Sequence, residues 1–206
     1  VISYDSEKME FSEQNTFSLG DTIHPSVSER YYNQKYRIDI KKQPGYDQCV
    51  LSHSNRVCLV TMAASHDLIT SGRIPKQIDF KIDDKTDRTA NKVSGKGKKG
   101  AQWLTENSPL CRVTCTDGTE YILYSCLRGH LMEINERLYK NPTLLIEKPE
   151  TDGYLAIVMP KLVDFKSQID KLLSIEQYKT NIGQRKDNLT KDTETANEID
   201  NTNDVT

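Results

Sequence analysis

The chain has few apolar residues, and none of its apolar runs is long. Hydrophobic residues make up 35% of its 206 residues, below the roughly 45–50% of an ordinary globular domain. The longest apolar stretches, such as YLAIVM at 154–159, are much shorter than the roughly 18 residues of a membrane-spanning helix. The first residues also lack the charged-then-apolar pattern of a signal peptide. We therefore expect no membrane partner.

Cysteine and net charge are equally modest. The five cysteines are an odd number, unlike the paired set of a secreted domain built on disulfides. Reduced thiols, and hence a place in the nucleus or cytoplasm, are expected instead. The 28 basic and 30 acidic residues nearly cancel, so the chain as a whole is no general polyanion binder. Any electrostatic partner must therefore meet a local patch.

The shortage of apolar residues is uneven, which predicts one folded region between polar ends. Residues 1–28 are predicted to be disordered or loosely ordered because they are polar and show no sustained period. Residues 29–162 predict a mainly β domain. Residues 163–180 place apolar side chains near helical spacing and predict one amphipathic helix. Residues 181–206 predict a disordered acidic tail.

The middle region has the pattern of several short strands and one hairpin. Asp117-Gly118 is typical of a type I′ turn, because these residues tolerate positive φ at little cost. Pro142 and Pro149 exclude a long helix in the segment between them. The predicted strands lie within 55–63, 77–82, 109–129 (the hairpin), 130–135 and 154–160.

The glycine-rich segment GKGKKG at 95–100 lacks the groups of a phosphate-binding loop. A Walker A loop ends in Gly-Lys-Ser/Thr, where the lysine reaches the phosphates and the hydroxyl binds magnesium. Here Gly100 is followed by Ala101 and Gln102. The sequence therefore argues against nucleotide binding, and no cofactor is predicted.

The same segment is a local basic patch. No acidic residue occurs from 88 to 105, and four lysines lie in this stretch: Lys92, Lys96, Lys98 and Lys99. Such a cluster can meet phosphates or an acidic protein surface, so these lysines are the candidate partner-binding residues. A solvated, flexible loop has the same composition, and the sequence leaves both interpretations open. Trp103 is the only ring nearby, which disfavours single-stranded nucleic acid.

Cysteines and histidines offer little for a metal or catalytic site. Cys49 with His53, and Cys111 with Cys115, have spacings that zinc tolerates but that are not distinctive. Cys111, Val113 and Cys115 alternate along a predicted strand, which favours packing in the core. Neither a nucleophile elbow nor a zinc-protease histidine pair occurs. We predict no metal ligand, no catalytic residue and no enzymatic activity.

Four long segments carry a family resemblance. They are QCVLSHSNRVCLVTMAASH at 48–66, NKVSGKGKKGAQWL at 91–104, PLCRVTCTDGTEYILYSCLRGHLMEINERL at 109–138 and EKPETDGYLAIVMPK at 147–161. Together they resemble the Abitram (Simiate) family of actin-binding proteins over about residues 29–162. The resemblance implies binding to actin monomers and filaments, an influence on polymerisation and filopodia, and a location in nuclear speckles and in actin-rich projections. It identifies no actin-contacting residue.

That family is in turn related to the glycine cleavage H-protein, which the stretch at 124–160 resembles. The relationship implies a lipoyl/H-protein-like hybrid barrel or sandwich with a short C-terminal helix. An H-protein presents its lipoylated lysine at a hairpin tip, and Gly118 stands about where that lysine belongs. No lysine occurs between Lys99 and Lys140. The resemblance therefore implies a scaffold without the prosthetic group.

A nuclear adaptor that binds proteins or RNA would use the same basic segment, and the sequence does not separate it from an actin-binding protein. RNA affinity would fall steeply with salt, whereas a peptide held at a sheet edge would respond little. The oligomeric state and the preference for actin monomer or filament do not follow from the sequence either.

Overall fold

The structure is a computed structural model that describes residues 26–200, and it is mainly β, as predicted. The described strands are β1 (Tyr32–Arg37), β2 (Gln48–His53), β3 (Cys58–Met62), β4 (Pro75–Asp79), β5 (Trp103–Leu104), β6 (Pro109–Cys115), β7 (Glu120–Tyr124), β8 (Gly129–Ile134) and β9 (Ala156–Met159). They form a six-stranded sheet in the order β1-β2-β3-β9-β8-β5 and a three-stranded sheet in the order β4-β6-β7. The pairings between these strands are antiparallel.

Helices connect and flank the sheets. The described helices are α1 (Val27–Tyr31), α2 (Asp67–Thr70), α3 (Arg137–Lys140), α4 (Leu144–Glu147), α5 (Leu162–Ile169) and α6 (Ile175–Asp200). The two helices between β8 and β9 are single turns, in keeping with the prolines there. None of the helices in residues 26–200 has the length and apolar content to cross a bilayer.

The predicted strands are all present, but β1, β2 and β5 were not predicted, and β2 is the most deeply buried of the three. This strand is almost wholly buried although it contains the polar residues Gln48 and Ser52. The Gln48 side chain is satisfied inside the protein, because it donates to the Tyr124 carbonyl at 2.9 Å and accepts from the Tyr124 amide at 2.8 Å. A buried amide with both partners is compatible with a core strand, and the sequence pattern does not reveal that pairing.

The two ends of the chain were predicted less well. The sequence predicts one helix over 163–180 and disorder from 181, whereas the structure has two helices and continues α6 to Asp200. At the other end, α1 begins after Ser26, inside the segment predicted as loosely ordered. Residues 1–25 and 201–206 lie outside the described residues, so the predictions of disorder there stay predictions.

Tertiary contacts explain why α6 is part of the folded body. The rings of Tyr178 and Tyr36 stack with centroids 3.9 Å apart. Further along, Arg185 bonds the carboxylates of Asp47 and Asp39, each at 2.8 Å. Asp47 is fully buried, and a buried carboxylate needs such a partner. Composition alone does not reveal these anchors.

The register of the large sheet brings separate segments together at one end of its strands. Cys58 at the start of β3 pairs with Val158 near the end of β9. His130 near the start of β8 pairs with Met159, and Trp103 of β5 pairs with His130 on the other side. The turn before β3, the end of β9 and the start of β8 therefore meet at this end of the sheet, with β5 beside them.

Candidate functional site

The four candidate lysines lie on a closed turn between β4 and β5, here called the lysine loop (residues 92–99). Ser94 and Lys99 exchange backbone hydrogen bonds of 3.0 and 2.9 Å, and the Lys98 amide donates to the Gly95 carbonyl at 3.2 Å. Gly95 and Lys98 both have positive φ, of 66° and 54°. The loop therefore has a defined hydrogen-bonded conformation, which distinguishes it from a freely solvated lysine-rich chain.

Gly100 is required for this closure. Its φ is 82°, and a Cβ atom built there would lie 2.5 Å from the Lys92 carbonyl oxygen. Any side chain at this position would be both strained and in collision with backbone. The conformation of the loop thus depends on the glycine that follows it.

The base of the loop is tied to β8 and to the preceding segment. The Asn91 side chain donates to the Leu131 carbonyl at 3.0 Å and accepts from the Gln102 amide at 2.8 Å. Gln102 in turn donates to the Asp87 carbonyl at 2.6 Å and accepts from Arg88 at 2.7 Å. These contacts hold both ends of the loop, which lowers the ordering entropy that a partner would have to offset.

The charges of the lysine loop are available to a partner. Lys92, Lys96 and Lys99 are exposed, and Lys98 is half-buried. None of the four pairs with a carboxylate in the part of the chain whose side chains the structure describes, which ends at residue 188. Their role in binding a partner stays a prediction, but the structure places unpaired cations on an ordered support.

Two of the four lysines also line a small cavity, here called the basic cleft, at the end of the sheet described above. Its volume is about 260 Å³. Four cationic side chains line it: Arg56, Lys96, Lys98 and Lys161. His130 and the apolar residues Met159, Pro160 and Leu162 complete the wall with Gly97. Lys92 and Lys99 are not part of this lining, so only two of the four predicted lysines line the cleft.

Sequence reasoning missed Arg56 and Lys161. Arg56 lies in the turn before β3 with a φ of 72°, and it donates to the Pro160 carbonyl at 3.2 Å. Lys161 follows the end of β9. The two cations are 105 residues apart along the chain, and only the pairing of β3 with β9 brings them together. Their position in turns that flank predicted strands is the one signal that the sequence offers.

Trp103 lies beside the cleft, on β5. It is 41% exposed, and its ring meets the His130 ring edge-on with centroids 4.8 Å apart. The Lys161 ammonium lies 5.0 Å from the Trp103 centroid, within the range of a cation–π contact. Because Trp103 is the only tryptophan of the chain, its fluorescence reports on this surface.

The β6–β7 hairpin tip contrasts with the lysine loop. Gly118 lies in its turn with a φ of 84°. Asp117 lacks the positive φ that the predicted type I′ turn requires at both central residues, so the turn type was predicted wrongly, and the Gly118 amide donates to the Cys115 carbonyl at 3.1 Å. Asp117 accepts from Arg73 and from the Thr119 amide, each at 2.9 Å, and these hydrogen bonds hold the pKa of its carboxyl below the usual range. The Thr116 amide donates to the Ile74 carbonyl at 2.9 Å. The tip is therefore joined to the body of the protein.

A buried histidine lies on the hairpin side of the molecule. His66 is fully buried, and its Nδ1 accepts from the Leu68 amide at 3.1 Å, which caps α2. Its ring meets the Tyr121 ring edge-on at 5.4 Å. Burial lowers the pKa of His66 to about 4, although the negative charges of Asp47 and Asp67 act to raise this pKa. The imidazole is therefore neutral at neutral pH.

The cysteines are packing residues in the core. Cys111, Val113 and Cys115 are all buried on one face of β6, which confirms the interpretation of their alternation. Cys49 is buried on β2, and burial raises its thiol pKa to about 12. Among the side chains that the structure describes, up to residue 188, no three His, Cys, Asp or Glu are grouped to hold a metal ion.

Comparison with known proteins gives the family. No family model matches the chain. Protein Abitram of Danio rerio is 50% identical over 154 residues, which cover 75% of this chain and 87% of that protein. The Homo sapiens protein is 46% identical over 158 residues, covering 77% and 87%. The chain belongs to the Abitram family.

The similarity extends to a more distant relative and to one solved structure. Protein Abitram of Dictyostelium discoideum is 38% identical over 156 residues, which cover 74% of this Abitram-family chain and 86% of that protein. A solved glycine cleavage system H protein from Mycobacterium marinum matches with a TM-score of 0.46 and 13% identity, over 66% of this chain and 91% of the other. That score is too low to carry a conclusion about function.

Proposed function

We propose that this Abitram-family protein is a non-enzymatic actin-binding protein that regulates actin polymerisation. In this proposal it binds actin monomers and filaments and acts in actin-rich cell projections, such as filopodia, lamellipodia and growth cones, as well as in the nucleus with its speckles. The observation that carries the proposal is the lysine loop, an ordered turn with four cations that lack carboxylate partners in the described residues.

The physical basis is electrostatic complementarity. An acidic partner surface would be attracted to the loop, which speeds association and orients the encounter. The hydrogen bonds at Asn91 and Gln102 hold the loop in place before binding, so little further ordering is needed. The contact should weaken as salt screens the charges.

The proposal of a non-enzymatic role is supported by the state of the reactive side chains. His66 is buried and neutral. The five cysteines are buried, and burial raises the thiol pKa of Cys58 and Cys126 to about 12. Thiols in this state are poor nucleophiles. The buried cysteines therefore pack the core and are poorly suited to act as nucleophiles.

The test is co-sedimentation of the purified protein with filamentous actin across a salt series, combined with a polymerisation assay on monomers. Saturable pelleting that declines as salt rises is the expected result, because the contact is electrostatic. If the protein stays in the supernatant at low salt and leaves monomer polymerisation unchanged, the proposal is wrong.

The alternative is a nuclear adaptor that binds RNA or another protein. A single ring is a poor platform for several bases, but one observation still favours RNA: Trp103 is exposed beside Lys161 and near the lysine loop, where one base can stack next to cations. Fluorescence anisotropy with a labelled single-stranded oligonucleotide tests this. Tight binding with a steep loss in salt supports the adaptor, and no binding at low salt excludes its RNA form.

A further inference from the structure

The basic cleft combines charge and apolar surface in a way that a plain lysine loop does not. Its cations come from three separate segments: the turn before β3, the lysine loop and the segment that joins β9 to α5. Leu162, the first residue of α5, is 73% exposed at its rim, beside Met159 and Pro160. No Asp or Glu is among the residues that line the cleft.

We propose that the basic cleft binds an acidic segment of a protein partner and that this segment inserts one apolar side chain against Leu162. The acids would meet Arg56, Lys96, Lys98 and Lys161. The inference deepens the proposed function and depends on it for the partner's identity, but its chemistry can be tested separately.

The size of the cleft supports a side-chain contact. Its volume of about 260 Å³ is below the roughly 300–1,000 Å³ of pockets for drug-sized ligands. One apolar side chain with flanking carboxylates suits such a space, whereas a cofactor would not be enclosed.

The cations are placed to recognise carboxylates. Arg56 uses one guanidinium nitrogen to donate to the Pro160 carbonyl, and this holds the group beside the end of β9. Its other N–H groups have no partner among the side chains and backbone that the structure describes (residues 26–188, Val27 apart), and guanidinium can bind a carboxylate with two parallel hydrogen bonds. Lys161 lies against the Trp103 ring, so its ammonium is held at the rim.

The apolar wall argues for a peptide over a phosphate backbone. A nucleic acid would use the cations and leave Leu162 in water. A peptide with alternating acidic and apolar residues would use both. The two classes of partner therefore differ in how they respond to a change at Leu162, while both respond to loss of the cations.

The first experiment measures fluorescence anisotropy with the full chain and three labelled synthetic peptides of equal length. One alternates Glu with Leu, one alternates Glu with Ser, and one alternates Gln with Leu. We expect the Glu–Leu peptide to bind about tenfold more tightly than either of the others, because only it offers charge and apolar burial together. Binding should also change the emission of Trp103. Equal affinity for the three peptides would overturn the proposal.

Two matched variants locate the contact. Leu162→Ser should weaken the Glu–Leu peptide about tenfold and leave the Glu–Ser peptide unchanged. Val163→Ser is the control, because Val163 is 85% exposed but does not line the cleft. If both variants behave alike, or if a single-stranded oligonucleotide binds more tightly than the Glu–Leu peptide, the assignment is wrong.

The outcomes separate this inference from the proposed function. Selective binding of the Glu–Leu peptide without co-sedimentation on actin would support the cleft and contradict actin binding. Co-sedimentation without peptide selectivity would contradict the cleft and support actin binding through the lysine loop alone.

Discussion

The lysine loop and the β6–β7 hairpin tip are both glycine-containing turns, yet their charges are used in opposite ways. At the hairpin tip, Asp117 is paired with Arg73. In the lysine loop, the hydrogen bonds that hold the turn come from backbone groups and from amides at its base, and its ammonium groups stay unpaired within the described residues. A charge that is satisfied internally contributes to stability, whereas an unpaired one is available for binding.

A network of side chains lies in the interior beneath the hairpin. The Arg73 guanidinium also donates to the Tyr121 hydroxyl at 2.7 Å and to Asp67 at 2.9 Å, and the ring of His66 lies against Tyr121. The hairpin side therefore contains a linked set of titratable groups. We expect stability and its pH dependence to depend on this side, and partner binding and its salt dependence to depend on the lysine loop.

The largest expected effect is acid destabilisation through His66. Its pKa is lowered from 6.5 to about 4 in the folded protein, so the unfolded chain binds the proton more readily in this range. Stability present above pH 6.5 is therefore lost as the pH falls towards 4, by on the order of 3 kcal/mol. Urea denaturation at pH 7 and at about pH 4.5 measures the loss.

His66→Asn is the matched variant for this prediction. Asparagine keeps an acceptor for the Leu68 amide that His66 now caps, but it does not titrate. The variant should lose much less stability between the two pH values than the parent. An equal loss in both proteins would show that groups other than His66 dominate the acid response.

Replacement of Arg73 by Ala should separate the two regions. The substitution removes the pairings with Asp117 and Asp67 and the hydrogen bond to Tyr121, and we expect the melting temperature to fall by about 5 °C. Actin affinity should stay unchanged because the lysine loop does not contact this site. A parallel loss of actin binding would mean that the two regions are not independent.

Gly100→Ala should disturb the loop with a smaller effect on stability. A Cβ atom would collide with the Lys92 carbonyl, and the φ of 82° is strained for alanine, at an expected cost of about 1 kcal/mol. Hydrogen exchange of the Ser94 and Lys99 amides should accelerate, and actin affinity should fall. Gly95→Ala is a useful comparison, since it has a similar φ but no atom within 4 Å of the added Cβ.

Removal of the loop's charge should have the smallest effect on stability. Replacing Lys92, Lys96, Lys98 and Lys99 by Ala breaks no ion pair with the side chains that the structure describes, so the free energy of unfolding should change by less than about 0.5 kcal/mol. Thermal denaturation beside the parent protein checks this. A large loss would show that the lysines support the fold and would contradict the contrast with the hairpin tip.

The sequence predicts the parts of this fold that depend on local pattern. The alternation around Val113 and the Asp117-Gly118 pair predict the β6–β7 hairpin, and the structure has it, although its turn is not of the predicted type I′ because Asp117 lacks a positive φ. β1, β2 and β5 were missed, and so was the extent of α6. Two of these elements, β2 and α6, depend on distant partners. Gln48 is satisfied by Tyr124, and α6 is anchored through Arg185 and Asp47. Such contacts have no local signature.

The same limit applies to the candidate site. The lysine loop is visible in the sequence as a basic run, and Gly100 is readable as a position that needs glycine only once the fold is known. The basic cleft is not visible, because Arg56 and Lys161 come together through the pairing of β3 with β9. Sequence spacing predicts a site well when its residues are neighbours along the chain.

The most direct test of the account compares two variants in co-sedimentation with filamentous actin at low salt. One replaces the four lysines of the lysine loop by Ala, and the other replaces four exposed lysines elsewhere: Lys76, Lys140, Lys171 and Lys179. If the lysine loop binds actin, the Kd for filamentous actin rises about tenfold or more for the loop variant and stays close to that of the parent for the control. Equal Kd values for the two variants would contradict actin binding by the loop.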